Sequence, residues 1–336
     1  MRNQRANRQP KWANGLVERI LVPLDGSRLA ECALPHAIAI ARVFGSQLIL
    51  LRVQESVADN HHPRVDSLAW RLGKADVEEY LRNTAERIAE LGVPVSTCAE
   101  QGKPAETVIE AARKHRADLI ALSSHGRGGK APFCLGSTAQ KVVDGAATSV
   151  LLVRAHREPL REDWNTSPHR RILVAVDGSA RAEWALSLAA GMAERAPAEL
   201  VLAQVVPVPE LVLRHPPSPE EEGLRETLVE ANRRAACENL EALRGRCANE
   251  NRPVRTRLEV SENAAQTIED LCDEEQIDLL VINAHGRGCG PASRLHGRLA
   301  DQLLHYGRHN TLLFQDLPAH SVESFEASHA AVRRGA

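Results

Sequence analysis

The sequence predicts two tandem α/β domains, each built on an open, doubly wound parallel sheet with helices on both faces. Its 336 residues correspond to about two domains of roughly 150 residues each. The stretch RILVPLDGSRLAECAL, which begins at Arg19, is nearly repeated as RILVAVDGSARAEWAL from Arg171. A second repeat follows, since ADLIALSSHGRGG from Ala117 matches IDLLVINAHGRGCG from Ile277. Short runs rich in Val, Ile and Leu alternate with helical patterns in both repeats, which is typical of parallel α/β sheets.

Each half is predicted to contain five strands and four helices in the same order. The strands of the first half are expected near Ile20–Leu24, Gln47–Val53, Val93–Cys98, Leu119–Ser123 and Ser149–Val153, and its helices near Arg28–Val43, Asp66–Leu91, Pro104–His115 and Ser137–Gly145. Those of the second half are expected near Ile172–Val176, Glu199–Val205, Val254–Glu259, Leu279–Asn283 and Thr311–Phe314, with helices near Arg181–Arg195, Pro219–Asn249, Ala264–Glu274 and Arg298–His305. Because crossovers between parallel strands are right-handed, five strands and four helices make one open sheet per half.

Composition shifts predict the domain boundaries. Residues 1–17 are predicted to form a flexible, Arg-rich tail, and the first domain is predicted to span residues 18–154. The polar segment 155–169, which contains Pro159 and Pro168, is predicted to be the linker. The second domain then spans residues 170–316, and residues 317–336 form a tail without convincing periodicity.

Composition and charge narrow the classes of partner. The chain is 43% hydrophobic and 26% charged, as in ordinary soluble domains. A net charge of -2 gives no electrostatic reason to expect nucleic acid or an anionic membrane surface. No apolar run approaches the ~20 residues that span a bilayer. The seven cysteines include no CxxC pair, which suits reduced thiols in a cytoplasmic protein. Small molecules and proteins are therefore the expected partners.

Polar residues at the strand ends mark the expected ligand site. In an open parallel sheet, ligands bind beyond the carboxyl ends of the strands. Asp25, Gly26 and Ser27 directly follow the first predicted strand. The Asp25 carboxylate can accept hydrogen bonds from a ribose or a base, or it can cap the next helix together with Ser27. The spacing alone does not decide between these roles.

The strongest motif is SSHGRGG…LGST, which occupies residues 123–138. Gly126, Gly128 and Gly129 would let the backbone approach an anion closely and adopt positive φ, and Arg127 would add a charged fork. The segment Gly136–Thr138 opens the last helix, where free N–H groups and the helix dipole favour phosphate. A plain glycine turn fits the spacing equally well, and GRGGK is not a Walker A loop.

These motifs resemble the universal stress protein family in its tandem two-domain form. The resemblance is carried by ILVPLDGS…A..AL, by the apolar strand ending in SHGRGG, and by the G-x9-GS spacing, and it covers Arg19–Val153 and Arg170–Gln315. It implies a Rossmann-like, adenine nucleotide alpha hydrolase-like domain with strand order 3-2-1-4-5. It also implies that the halves pair through their last strands as a pseudo-dimer within one chain, with a further homodimer left open.

The resemblance implies an adenine nucleotide site in the first domain, with ATP as the ligand, with or without Mg²⁺. ATP-binding members of the family carry G-x2-G-x9-G-[ST] around the triphosphate. Gly126 matches the second glycine and Gly136–Ser137 the third glycine with its hydroxyl, whereas Ser123 replaces the first. Asp25 matches the aspartate set against the adenosine, and Val53 the residue that borders the base. The predicted contact residues are Pro23, Leu24, Asp25, Val53, Ser123, Ser124, His125, Gly126, Arg127, Gly129, Gly136, Ser137 and Thr138.

The corresponding site of the second half is predicted to be degenerate. Asp177 and Val205 match the aspartate and the base-bordering residue. Asn283 occupies the first glycine position, where its side chain would crowd a ligand. Gly286 matches the second glycine, but the third becomes Gly297-Arg298 after one extra residue. A bulky cation therefore replaces the hydroxyl at the start of the helix.

Histidines near both loops are predicted to be structural. His125 and His285 hold equivalent positions, and a single histidine per loop does not make a metal site. Cys289, His285 and His296 suggest a zinc set, but three ligands from one glycine loop with no counterpart in the first half favour chance.

No pattern for an efficient enzyme is present. The chain shows no Ser-His-Asp order, paired catalytic carboxylates, HExxH helix or adenylating SGGxDS loop. The expected function is therefore an ATP-binding regulatory or stress-response factor, with an unidentified protein partner and without dedicated catalysis. A protein-interaction module that binds no nucleotide is the alternative, motivated by Ser123, and a slow ATPase is a third.

Overall fold

The computed structural model describes residues 17–55, 67–127, 135–157, 163–179, 182–196, 198–209, 218–248, 253–286 and 295–315. The strands in this part of the chain are β1 Arg19–Pro23, β2 Gln47–Gln54, β3 Val95–Gln101, β4 Leu119–Ser123, β5 Ser149–Val153, β6 Arg171–Ala175, β7 Glu199–Pro207, β8 Val254–Ser261, β9 Leu279–Asn283 and β10 Thr311–Phe314. The helices are α1 Arg28–Glu31, α2 Ala33–Phe44, α3 Ser67–Ala89, α4 Pro104–Lys114, α5 Ser137–Gly145, α6 Ala182–Arg195, α7 Pro219–Cys247, α8 Ala264–Glu274 and α9 Arg298–Tyr306. The elements fall where the sequence predicts them, with ends that differ by a few residues. The predicted tails lie almost entirely outside the described residues.

The first predicted helix of the chain is in fact two helices. α1 ends at Glu31 and α2 begins at Ala33, with Cys32 between them. Pro35 explains the break, because it has no N–H to donate to the Glu31 carbonyl four residues earlier and its ring would collide with that carbonyl. The prediction of one helix over Arg28–Val43 is therefore wrong at this point.

All the described strands form one sheet in the order β3-β2-β1-β4-β5-β10-β9-β6-β7-β8. Each half has the order 3-2-1-4-5, as the resemblance implied, and its strand pairs are parallel. β5 and β10 pair antiparallel, with Leu312 opposite Leu151. The two predicted five-stranded sheets are therefore joined into one. This pairing removes two edge strands whose N–H and C=O groups would otherwise lack partners in a sheet.

Helices cover both faces of the sheet. Along β2, Leu48 and Leu50 point to the core beneath α2 and α3, while Ile49 and Leu51 point to the core beneath α4 and α5. Each core includes residues from both halves of the chain. The two halves therefore share their hydrophobic interior.

The described part of the linker packs on the first half. Trp164 is buried, and the Arg87 guanidinium carbon lies 3.8 Å from the centroid of its ring. His169 is buried as well, with its Nε2 atom 2.9 Å from Nδ1 of His36. Residues 158–162 of the linker lie outside the described residues. Contacts of this kind fix the chain at the start of β6.

A buried arginine connects the halves beside the β5–β10 pair. Arg154 follows β5, and its guanidinium donates to the Leu303 and Leu304 carbonyls at 2.9 and 2.8 Å, near the end of α9. It also donates to the His309 carbonyl at 3.3 Å. Burial lowers the pKa of Arg154 to about 10, and the carboxylate of Glu269 opposes that effect. The first half thereby supplies donors for helix carbonyls of the second.

Candidate functional site

Asp25 connects the turn after β1 to the loop after β4. Its Oδ1 atom accepts the Ser27 N–H at 2.9 Å, and its Oδ2 atom accepts the Arg127 N–H at 2.7 Å. Burial by itself raises the pKa of the Asp25 carboxyl, but hydrogen bonds from Ser27 and Arg127 and the charge of Arg52 together hold that pKa below its ordinary value. Asp25 is therefore a half-buried anion at neutral pH.

The helix cap belongs to Ser27. Its hydroxyl oxygen accepts the Ala30 N–H at 3.1 Å, at the start of α1. The two roles left open by the spacing are thus divided between two residues. Ser27 caps the helix, and Asp25 holds the loop that carries Gly126.

Gly126 lies directly against Asp25. A Cβ atom added at Gly126 would lie 2.2 Å from Oδ2 of Asp25, so the carboxylate would have to move. The φ angle of Gly126 is not in the left-handed region, so the expectation of positive φ is wrong for this residue. Gly26 does have a positive φ of 74°. Gly128 and the predicted contact residue Gly129 lie outside the described residues.

The end of β4 is buried and bonded to its own loop. The Ser123 hydroxyl donates to the His125 carbonyl at 2.6 Å and accepts the His125 N–H at 3.2 Å. The Ser124 hydroxyl oxygen lies 2.9 Å from Nδ1 of His125 and accepts the Ala155 N–H at 3.1 Å. The His125 ring also contacts the His156 ring, at 4.5 Å between centroids. The hydroxyl at the first glycine position is therefore used by the loop backbone.

Gly136 places the start of α5 against this loop. Its N–H donates to the Ser124 carbonyl at 2.8 Å, and an added Cβ would lie 3.2 Å from that carbonyl oxygen. Ser137 and Thr138 are exposed in the first turn of α5. The first N–H groups of a helix have no partner inside it, so this end of α5 can donate to an anion.

The remaining predicted residues border the same edge of the sheet. Pro23 and Val53 are half-buried at the ends of β1 and β2, and Leu24 donates its N–H to the Leu51 carbonyl at 2.8 Å. Val53 packs against the core beneath α4 and α5. Asp25, Gly126 and the Arg127 backbone are in direct contact, whereas Val53 lies a strand away from that contact.

Sequence reasoning missed Arg52, which is directed to the opposite face of β2 from Val53. Its Nη1 atom lies 2.9 Å from the position that a Cβ atom would take on Gly26, and Nη2 of Arg127 lies 3.0 Å from the same point. The guanidinium carbon of Arg52 is 5.9 Å from the centroid of the Tyr80 ring. A single charge within the apolar run QLILLRVQ was the available signal.

The second half repeats the backbone of this site. Asp177 accepts the Ser179 N–H at 2.9 Å, and a Cβ atom added at Gly286 would lie 2.6 Å from Oδ2 of Asp177. Gly297 donates its N–H to the Ala284 carbonyl at 2.7 Å, just as Gly136 does to Ser124. The extra residue before Gly297 is accommodated without loss of this bond.

The side chains around the second site differ. Both amide atoms of Asn283 are buried without hydrogen-bond partners. Burial, with the nearby charges of His285 and His305, lowers the pKa of His296 to about 4 against the opposing effect of Asp301, so this imidazole is neutral at physiological pH. Cys289 of the suggested zinc set lies outside the described residues.

The strand order and the aspartate–glycine contact in each half define a tandem α/β protein whose two halves share one fold. A model of the universal stress protein family matches residues 17–154 and 168–314. Universal stress protein MJ0531 from Methanocaldococcus jannaschii is 33% identical over 141 residues, which cover 41% of this chain and 83% of that protein. A universal stress protein from Thermus aquaticus is 35% identical over 148 residues, which cover 41% of this chain and 100% of that protein.

A solved structure extends the similarity to both halves at once. A crystal structure from Pseudomonas aeruginosa, described as that of a universal stress protein, covers 94% of this chain and 98% of its own, with a TM-score of 0.64 and 22% identity. That identity supports the fold alone. Because the family model matches both halves, this chain belongs to the universal stress protein family, in its tandem two-domain form. Among the described helices, none has the length and apolarity that a bilayer crossing requires.

Proposed function

We propose that this universal stress protein binds ATP in its first domain and acts as a regulatory factor in a stress response. The observation that carries the proposal is the constellation of Asp25, Gly126 and the open start of α5 at one edge of the sheet. In the proposal, Asp25 accepts hydrogen bonds from the adenosine. The first turn of α5, with the exposed Ser137 and Thr138, donates to the phosphates.

The second domain is proposed not to bind ATP. Asn283 brings an amide side chain to the place where the first domain has a serine bonded to its own loop. Arg298 stands at the first position of α9, where the first domain has Ser137 at the first position of α5. The bulky side chain of Arg298 would keep a phosphate from coming within hydrogen-bond distance of the backbone N–H groups at the start of α9.

Catalysis is not part of the proposed function. Rapid phosphoryl transfer needs a placed metal, an oriented nucleophile and charge stabilisation that is stronger in the transition state. The groups assigned here are backbone donors, Asp25 and Arg127, which hold a nucleotide equally well before and during transfer. Uniform binding of this kind does not accelerate the chemical step. Any Mg²⁺ would then arrive with the triphosphate. A cytoplasmic location completes the proposal, since the seven cysteines include no CxxC pair.

A protein-interaction module without nucleotide is the second candidate. Both oxygens of the Asp25 carboxylate already accept N–H groups of the chain, and the Ser123 hydroxyl is bonded to the loop. A site that is satisfied internally needs no ligand to be stable.

Titration of the full chain separates the two candidates. Protein purified without added nucleotide is first denatured, and its supernatant is analysed for adenine nucleotide by mass and absorbance. Calorimetric titration with ATP then compares the parent with Asp25→Asn and with the matched control Asp177→Asn. We expect Asp25→Asn to weaken binding at least about tenfold, because it removes the charge of an acceptor. No binding to the parent would replace the proposal with the interaction module, and equal losses in both variants would contradict the assignment of the ATP site to the first domain.

A further inference from the structure

We propose that Arg52 and Arg127 form an anion subsite beside Asp25 that accepts a phosphoryl group of the ligand. This inference rests on the proposed function for the identity of the whole ligand, but the subsite itself is defined by the two guanidinium groups. Arg52 lies outside the glycine motif. The subsite therefore adds a residue and a binding chemistry to those that the motif assigns.

The geometry suits a single bridging anion. Nη1 of Arg52 and Nη2 of Arg127 lie 2.9 and 3.0 Å from one point above Gly26, so at most about 6 Å separates them. Charge-assisted N–H···O bonds are about 2.7–2.9 Å long, so one phosphoryl group can accept from both guanidinium groups at once. Gly26 itself is exposed and has no side chain to occupy the space between them.

The charges in this region are not balanced by the described residues. Asp25 is the carboxylate that acts on Arg52, and both of its oxygens already accept backbone N–H groups. Within the described ranges, no ion pair of Arg52 or Arg127 is formed. Burial, and next the charge of Arg127, lower the pKa of Arg52. The two guanidinium groups repel each other and attract an anion, so a bound phosphoryl group would offset the repulsion between Arg52 and Arg127.

Arg52 is held in place by packing. Its guanidinium lies near the Tyr80 ring, and the Tyr80 hydroxyl donates to Oε1 of Glu31 at 2.9 Å. Tyr80 belongs to α3 and Glu31 to α1, so two helices position this arginine. A guanidinium fixed before binding loses less conformational freedom when it engages an anion.

The second half replaces this arrangement with neutral groups. The strand register pairs Arg19 with Gln47 and Arg171 with Glu199, which places Gln204 at the position equivalent to Arg52. Gln204 accepts a hydrogen bond from Asn239 at 3.1 Å, in place of the arginine and tyrosine. The anion subsite is thus a property of the first half, and glutamine is tolerated at this position of the fold.

The test uses inorganic pyrophosphate as the probe, with the full-length chain in a calorimeter. Arg52→Gln installs the residue of the second half, and Arg127→Gln removes the exposed partner. Arg28→Gln is the control, because it removes the same charge from an exposed position on α1. We expect both subsite variants to bind pyrophosphate about tenfold or more weakly than the parent, as for a lost charge-assisted contact, and the control to change less than about twofold. Circular dichroism confirms that each variant is folded.

The outcomes separate this inference from the proposed function. Equal pyrophosphate affinity in the parent and Arg52→Gln, or no binding to the parent at millimolar probe, overturns the subsite even if ATP binds. Weaker pyrophosphate binding in Arg52→Gln supports the subsite even if no adenine nucleotide binds.

Two nucleotides then identify the source of the phosphoryl group. If Arg52→Gln loses more affinity for adenosine 3′,5′-bisphosphate than for ATP, the subsite binds a phosphate on the ribose. If it loses more affinity for ATP, the subsite binds the 5′ phosphate chain.

Discussion

If the first domain binds ATP as proposed, replacing Gly126 by alanine should weaken that binding by displacing Asp25. The added Cβ would lie 2.2 Å from Oδ2 of Asp25, so the carboxylate must move away. That movement breaks at least the 2.7 Å bond from the Arg127 N–H. A hydrogen bond to a charged group contributes about 1.5–3 kcal/mol, so the free energy of unfolding should fall by about 2 kcal/mol. If Asp25 accepts hydrogen bonds from the adenosine as proposed, the displaced carboxylate loses them, and ATP affinity should fall at least about tenfold.

The matched control is Gly286→Ala in the second half. There the added Cβ would lie 2.6 Å from Oδ2 of Asp177, so a similar loss of stability is expected. ATP affinity should stay at the parent value, because the second site is proposed to be degenerate. Both variants are measured by urea denaturation and by calorimetric titration with ATP. The reasoning is refuted if Gly126→Ala binds ATP as tightly as the parent, or if Gly286→Ala loses binding while Gly126→Ala keeps it.

Calorimetry should give one ATP per chain, and two equivalent sites would contradict the proposed asymmetry. Arg154→Met should lower the free energy of unfolding by about 2–4 kcal/mol, because three carbonyls lose a charged donor. As a control, Arg157→Met removes an exposed neighbouring arginine and should change the free energy of unfolding by under about 0.5 kcal/mol. Equal effects of the two variants would refute the role of Arg154 in connecting the halves. Folding lowers the pKa of Asp25, so the ionised carboxylate stabilises the fold at any pH above its pKa in the unfolded chain. That stabilisation is lost as the pH falls through its pKa in the folded chain. The difference in unfolding free energy between the parent and Asp25→Asn should therefore shrink below about pH 4.

The order of elements could be predicted because apolar runs and helical patterns alternate twice with the same spacing. Even the break after α1 has a sequence cause, since Pro35 stands four residues after Glu31. Joining of the halves through β5 and β10 came from the resemblance, because a sequence pattern does not say which edge strands meet. The contacts of Arg154 with the end of α9 depend on that meeting and were not predicted.

The positions of the candidate site residues could be predicted where they depend on local motifs. Asp25 and Gly126 follow β1 and β4, and parallel pairing of these strands brings their ends together. The hydrogen bond from the Ser123 hydroxyl to the His125 carbonyl was not predicted, because sequence spacing does not give the direction of a side chain. Arg52 was missed for a stronger reason, since its neighbours Tyr80 and Arg127 are distant in the chain and meet it only in the folded domain.

Comparison of the two halves separates the part of the motif that the fold needs from the side chains proposed to bind a ligand. The aspartate–glycine contact occurs in both halves, and so does the N–H bond from the glycine that precedes the last helix. These features hold the turn after the first strand of each half against the loop after the fourth, so the fold needs them whether or not a nucleotide binds. The halves differ in the side chains that project around this backbone, with Ser137 against Arg298 and Arg52 against Gln204. Under the proposal, exchanging those side chains between the halves should transfer ligand binding, whereas Gly286→Ala, at the site proposed to be degenerate, should change stability alone.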